Sequence, residues 1–310
     1  IGQMICVGLD STYVDDEFRQ LIQKYPFGSV GLFIRNIDNA EQVKRLTGEI
    51  QEVVRAACNG LDALIAVDEE GGVVTQFSSG MTQMPGNLAV GAARSESGAF
   101  DCGHIVGYEL SEMGITMNWA PVVDLNNPLN RVIDVRSFGD EAETVAQLGI
   151  ATAKGLNAGG VGATAKHFPG LGNTVLRSDN MYIYVHTRDR DFILNHDLIP
   201  FREMSRAGVD AIMTGPIAAP AFENGGELVP AAVSRNLLTG ILRKEFGYDG
   251  VIFAEDLECG LGAFTIKKAA QLSVAAGADI IILCQSKTKP LLVFNGLLNA
   301  PGFEEVDFSS

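Results

Sequence analysis

The chain has 310 residues, 46% of them hydrophobic and 35 of them glycine, with a formal net charge of −15. That length suffices for one large barrel or two ordinary domains, and the acidic balance argues against nucleic acid or an anionic membrane as a partner. No apolar run approaches the roughly 18 residues of a membrane span, and Cys6, Cys58, Cys102, Cys259 and Cys284 fall at no metal-type spacing.

Strand-like apolar runs alternate with amphipathic helical stretches from end to end. Met4–Leu9 reads as a strand and Asp16–Tyr25 as a helix. Ser29–Ile34 is the next strand, and Ala40–Ala57 a helix with Val43, Leu46, Ile50, Val53 and Val54 at helical spacing. Ala63–Asp68 is a third strand, followed by a long Gly/Met/Pro segment. The pattern then predicts a helix over Gly98–Met113, a strand over Thr116–Val123 and a helix over Glu141–Asn157. A short run of small and β-branched residues, Gly162–Ala165, reads as a buried strand that delivers Lys166 and His167 side by side at its end. Helix Asp189–Arg206 leads into strand Val209–Thr214, helix Ser234–Phe246 into Val251–Ala254, and helix Thr265–Ala276 into Asp279–Cys284, with a last helix from near Lys287.

Eight nearly continuous apolar strands alternating with helices predict an α/β chain closed into a (β/α)8 TIM barrel rather than a doubly wound sheet. No composition shift marks a linker, so residues 1–310 are expected to form one domain. The scattered cysteines read as buried thiols, and their odd count points to a reducing, cytoplasmic compartment. The start at Ile1 leaves room for a removed targeting segment.

A TIM barrel builds its active site at the C-terminal ends of its strands. The polar residues there are Asp68 with Glu69-Glu70-Gly71-Gly72, Asp124 with Arg136 in the loop after it, Lys166-His167, Met213-Thr214-Gly215, and Ala254-Glu255-Asp256. Carboxylates, Arg, Lys and His around one concave mouth suit a polyhydroxylated ligand, because hydroxyls pair with both signs of charge. There is no P-loop or GxGxxG and no His/Cys cluster at ligand spacing, so no cofactor or structural zinc is expected. Asp68, Asp124 and Glu255 together could hold a hard cation, although nothing else in the sequence asks for one.

The string Lys166-His167-Phe168-Pro169-Gly170-Leu171-Gly172-Asn173-Thr174 closely resembles the signature of glycoside hydrolase family 3, in particular its β-N-acetylglucosaminidase branch. Asp68 matches the aspartate of that family's D-x-E-G-G segment and Arg136 the arginine of its R-S-F-G segment. Residues 1–10, 118–126, 198–215 and 247–258 match further blocks, so the resemblance runs from Ile1 to about Cys284. It implies that Asp68, Arg136, Lys166 and His167 hold sugar hydroxyls and that Glu255 stands at the nucleophile position.

The pattern departs from the family at its chemical positions. The family's nucleophile is an aspartate, one methylene shorter than Glu255; Asp256 next door could substitute for it, but adjacent strand residues point to opposite sides. The acid/base Asp-Ser-His triplet falls on Arg177, Ser178 and Asp179, the signature's second His and its Asp are Leu171 and Asn173, and the Arg usual after Glu-Gly-Gly is Val73. Asp179 is the candidate acid/base that remains, although the Arg177 cation close by would lower a carboxyl pKa. His104, His186 and His196 read as structural. Three functions follow. One is hydrolysis of O-glycosidic bonds, foremost terminal β-N-acetylhexosaminides, through a carboxylate nucleophile. Another is a repurposed barrel that binds a polar or sugar-like ligand or runs a different reaction. The last is a non-catalytic binding or scaffold protein, which retention of Asp68, Arg136, Lys166 and His167 disfavours.

Overall fold

The computed structural model describes residues 1–177, 183–258 and 264–300. Eight parallel strands, β1 (Ile5–Val7), β2 (Ser29–Leu32), β3 (Leu64–Val67), β4 (Met117–Asn118), β5 (Gly162–Phe168), β6 (Ala211–Thr214), β7 (Val251–Ala254) and β8 (Ile280–Leu283), pair in chain order. The last pairs with the first, Ile5 opposite Ile281 and Val7 opposite Leu283, and closes the barrel.

Alternation along the strands makes two cores. Cys6, Ala66, Met213, Phe253 and Ile282 cluster with Trp119 in the barrel interior. Ile5, Val7, Ile65, Val67 and Ile212 pack outward beneath the helices. Helix Ala40–Ala57 buries Val43, Leu46, Ile50, Val53 and Val54, the predicted face, and the Asn39 side chain caps it by accepting from the Gln42 N–H. Emptying such a position, as in Leu46→Ala, costs about 2–5 kcal/mol. No helix of the described residues is long and apolar enough to cross a membrane.

Several boundaries differ from the sequence reading. The run Thr116–Val123 is ladder-paired only at Met117–Asn118, because Pro121 has no N–H to donate; the chain rejoins through a bridge from Val122 to Lys166. The stretch Asp189–Arg206 is two helices, Arg190–Asn195 and Ile199–Arg206, and His196 lies at the break between them. There the buried Asp197 accepts from Asn173 Nδ2 at 2.7 Å, and Pro200 starts the second helix. The Gly/Met/Pro segment contains a helix, Asn87–Ala93. After β5, Thr174–Arg177 pairs antiparallel with Ile183–His186, which pairs with Ile217–Ala218, so a small sheet stands at the mouth of the barrel. Cys6, Cys58 and Cys284 are buried free thiols and Cys102 is half-buried; Cys259 lies outside the described residues.

Candidate active site

Strand β5 carries Lys166 and His167 to the mouth, and the Lys166–His167 and Phe168–Pro169 peptide bonds are cis. Lys166 Nζ lies 2.5 Å from Asp68 Oδ1 and 2.7 Å from Glu70 Oε1, with side-chain exposures of 3% for Lys166 and 2% for Glu70. Glu70 also takes both arms of Arg136, Nε at 2.9 Å and Nη2 at 2.8 Å. Such a fork fixes the guanidinium plane as well as its charge. Glu70 can turn into the mouth because Gly71 and Gly72 follow at φ of +82° and +60°, which glycine adopts without a Cβ penalty. Arg136 comes from the single turn Asp134–Arg136, where Asn87 Nδ2 donates to its carbonyl at 2.8 Å.

The network continues through His167. Arg136 Nη2 can only donate, so His167 Nε2, 3.4 Å away, accepts, and Nδ1 carries the proton that it donates to Asp124 Oδ2 at 2.7 Å. Asp124 also accepts from the Leu171 N–H at 2.6 Å, which ties the signature loop to β4. Asn173 bridges Asn127 and Asp197 with bonds of 2.9 and 2.7 Å. It therefore holds the loop in place instead of facing the mouth.

Electrostatics follow from burial opposed by pairing. Burial alone would push the Glu70 carboxyl up, but Lys166 and Arg136 overcome it and hold its pKa at about 2. Burial likewise pulls on the Lys166 ammonium, yet Asp68 and Glu70 outweigh it and leave the group raised. Glu255 is the opposite case. Burial drives its pKa well above the ordinary glutamate value, Lys166 works against this, and Asp256, Asp68 and Asp124 reinforce it. Its Oε2 is shut off from solvent and has no hydrogen-bond partner.

Asp68, Glu70, Arg136, Lys166, His167 and Glu255 line one open cavity of about 370 Å³. The structure thus brings five of the six predicted site residues together, while Asp179 lies outside the described residues. Asp256 lines the same cavity. Strand alternation does not separate it from Glu255 because β7 ends at Ala254, before either carboxylate. Burial, the largest influence, pushes Asp256 up to about 6. His186 is buried with Nε2 3.2 Å from Asp197 Oδ2, and among the described residues neither ring nitrogen makes a hydrogen bond. Glu70, the centre of the ion network, was not singled out from the sequence, although it stands two residues after Asp68 in a chemically loaded segment. Leu171 and Tyr184 are further cavity residues. The Tyr184 phenol is raised first by burial and then by Glu255, which places it within electrostatic reach of that carboxyl.

The model of the glycosyl hydrolase family 3 N terminal domain matches residues 1–303. A beta-hexosaminidase of Neisseria gonorrhoeae is 37% identical over 278 residues, which are 87% of this chain and 74% of that protein. Among solved structures, a family 3 beta-N-acetylglucosaminidase from Paenibacillus sp. str. FPU-7 superposes with a TM-score of 0.93 at 37% identity, covering 99% of this chain and 58% of its own. The chain therefore spans less than two thirds of that relative. NagZ from Neisseria gonorrhoeae in complex with N-trifluoroacetyl-D-glucosamine superposes with a TM-score of 0.83 at 35% identity, covering 94% of this chain and 83% of its own.

Proposed function

The chain belongs to glycosyl hydrolase family 3 through its N-terminal domain, and on that premise we propose that it hydrolyses terminal β-linked N-acetylhexosaminides. The observation that carries this reading is the shared cavity. A rigid array of Asp68, Lys166, Arg136 and His167 faces it, and beside the array stands a carboxyl, Glu255, with an unpaired buried oxygen.

The ion array suits a sugar. Lys166 and Arg136 donate to ring hydroxyls and Asp68 accepts from them, while His167, held between Arg136 and Asp124, orients the guanidinium. Glu70 and Asp124 pair with these groups and fix their directions, so little order is lost when the sugar binds. Glu255, at the end of β7, takes the nucleophile role of a retaining glycosidase: its carboxylate attacks the anomeric carbon as the glycosidic C–O bond breaks and the aglycone leaves with a proton, and water then cleaves the glycosyl-enzyme ester and frees the carboxylate. Lys166 and Arg136 face Asp68, Glu70 and Asp124, two cations against three carboxylates. That small negative excess favours the positive charge that develops on the sugar in the transition state. Burial pushes the Glu255 carboxyl well above the ordinary glutamate range, so the ionised form that attack requires is favoured by rising pH. Asp179 is assigned the acid/base role on its sequence position.

The test is hydrolysis of an aryl β-N-acetylglucosaminide by this chain and by Glu255→Gln. An aryl leaving group needs little protonation, so the assay reads the nucleophile by itself. Turnover that Glu255→Gln reduces by about 10³-fold or more is the expected outcome. Absence of turnover from folded protein would overturn the hydrolase assignment.

A further inference from the structure

A second buried polar cluster centres on Asp197, at the break between helices Arg190–Asn195 and Ile199–Arg206. Its Oδ1 accepts from Asn173 Nδ2 at 2.7 Å, and Asn173 Oδ1 in turn accepts from Asn127 Nδ2 at 2.9 Å. A carbon added at Gly170 would come within 3.1 Å of Asp197 Cβ, so the residue abuts the signature loop directly. Its Oδ2 faces His186 Nε2 at 3.2 Å, and His196 Nδ1 stands 3.7 Å from Oδ1. Asp197 and His186 are each 1% exposed, yet Oδ2 and both ring nitrogens of His186 have no hydrogen-bond partner among the described residues. Buried polar atoms left so are rare and costly. Apolar side chains would hold two segments together at less cost, so stability alone does not account for this pair.

The cluster joins segments that surround the cavity. Asn127 follows β4, Asn173 belongs to the signature loop after β5, and His186 ends the middle strand of the small sheet, opposite Thr174. Two residues earlier on that strand, and therefore on the same face, Tyr184 lines the cavity that holds Glu255. The Tyr184 N–H donates to the Pro216 carbonyl at 2.9 Å, and Tyr184 pairs with Ile217. These backbone bonds fix the register of the strand and leave the tilt of the sheet to its side chains. Given the hydrolase reading, on which its catalytic consequence depends, we propose that Asp197 is a positioning residue: through His186 it sets the small sheet, and with it the Tyr184 wall of the Glu255 cavity, against the signature loop.

The test uses Asp197→Asn, which keeps the shape and the bond from Asn173 but removes the charge that faces the imidazoles, and His186→Gln, which breaks the same link from the other end. Either decides the question if the other does not fold. Fluorotyrosine labelling gives one fluorine resonance for each of the six tyrosines, and Tyr184→Phe assigns that of Tyr184. Val293→Ala, in the core beneath helix Lys289–Leu298, loosens the fold elsewhere and serves as the control. Both site variants are expected to displace the Tyr184 resonance, the double variant to displace it no further than Asp197→Asn alone, and Val293→Ala to leave it in place. A Tyr184 resonance that stays in place in the site variants, or that Val293→Ala moves equally, overturns the proposal. On an aryl β-N-acetylglucosaminide the loss is expected in kcat, about 10-fold, with KM within about twofold, because Asp68, Glu70, Arg136 and Lys166 hold one another in place. A rise in KM with kcat unchanged overturns the positioning role. A displaced resonance in a chain without turnover upholds the placement and overturns the hydrolase reading alone.

Discussion

The Glu70 carboxylate stands 2.7 Å from the Lys166 ammonium, both side chains almost wholly buried, and the same carboxylate grips Arg136 through two bonds. Two cations of the cavity thus take their positions from one carboxylate that pairs with both. Removing the shared partner should disturb both at once. Glu70→Gln is expected to lower kcat/KM on an aryl β-N-acetylglucosaminide by about 100-fold, and Glu70→Asp to recover part of it. Because the three act as a unit, the loss in Lys166→Met/Arg136→Met should be smaller than the product of the losses in the two single variants. A double-mutant cycle checks this, and independent, multiplicative effects would refute it.

The same group contributes stability that depends on pH. Its folded pKa of about 2 lies below the ordinary glutamate value, so the folded state binds fewer protons than the unfolded one. The contribution is complete above about pH 4.5 and is lost as pH falls towards 2. Denaturant unfolding of the native chain and of Glu70→Gln should differ most at neutral pH, by about 3 kcal/mol, and converge in acid.

Glu255 has the reverse sign. Its folded pKa is raised by burial, so the folded state holds its proton to higher pH than the unfolded chain, and stability declines as pH rises above the ordinary glutamate range. Glu255→Gln, which cannot ionise, should therefore gain stability relative to the native chain at pH 8 and match it near pH 4. Activity runs the other way. The ascending limb of kcat/KM against pH should lie above the range of an exposed glutamate, and a limb at the ordinary value would remove Glu255 as the group that must ionise.

Gly172 closes the signature loop against β4. A Cβ there would lie 1.8 Å from the Leu125 carbonyl oxygen, a backbone atom with little room to move. Gly172→Ala is expected to cost about 2 kcal/mol or more and to shift the Leu171 N–H off Asp124. A fall in Tm together with a rise in KM, larger than for Gly48→Ala, where nothing stands within 4 Å of the added carbon, would bear this out.

Much of this was legible along the chain. Apolar runs of four to six residues alternating with 3.6-period helices allow little but a parallel barrel, since only burial on both faces suits such strands. The barrel rule then put Asp68, Lys166, His167 and Glu255 at one mouth before any contact was known. The relation between Glu255 and Asp256 was not legible. Alternation separates neighbours on a strand, but the strand stops at Ala254, and a boundary one residue away decides which way a carboxylate points. Glu70 was hidden for a related reason. Glu69 and Glu70 are chemically the same in the sequence, and only the left-handed turn at Gly71 and Gly72 sends the second of them between Lys166 and Arg136.

The sequence by itself determined the barrel, the position of its mouth and the residue types gathered there, because these follow from periodicity and strand order, which are local. Tertiary structure alone decided which charges pair, which are cut off from water and which loops supply the rim. Glu70 below its normal pKa and Glu255 above it are the same side chain in two surroundings. Among the described residues, two cations come within bonding distance of the first, while the second keeps a buried oxygen without a hydrogen-bond partner.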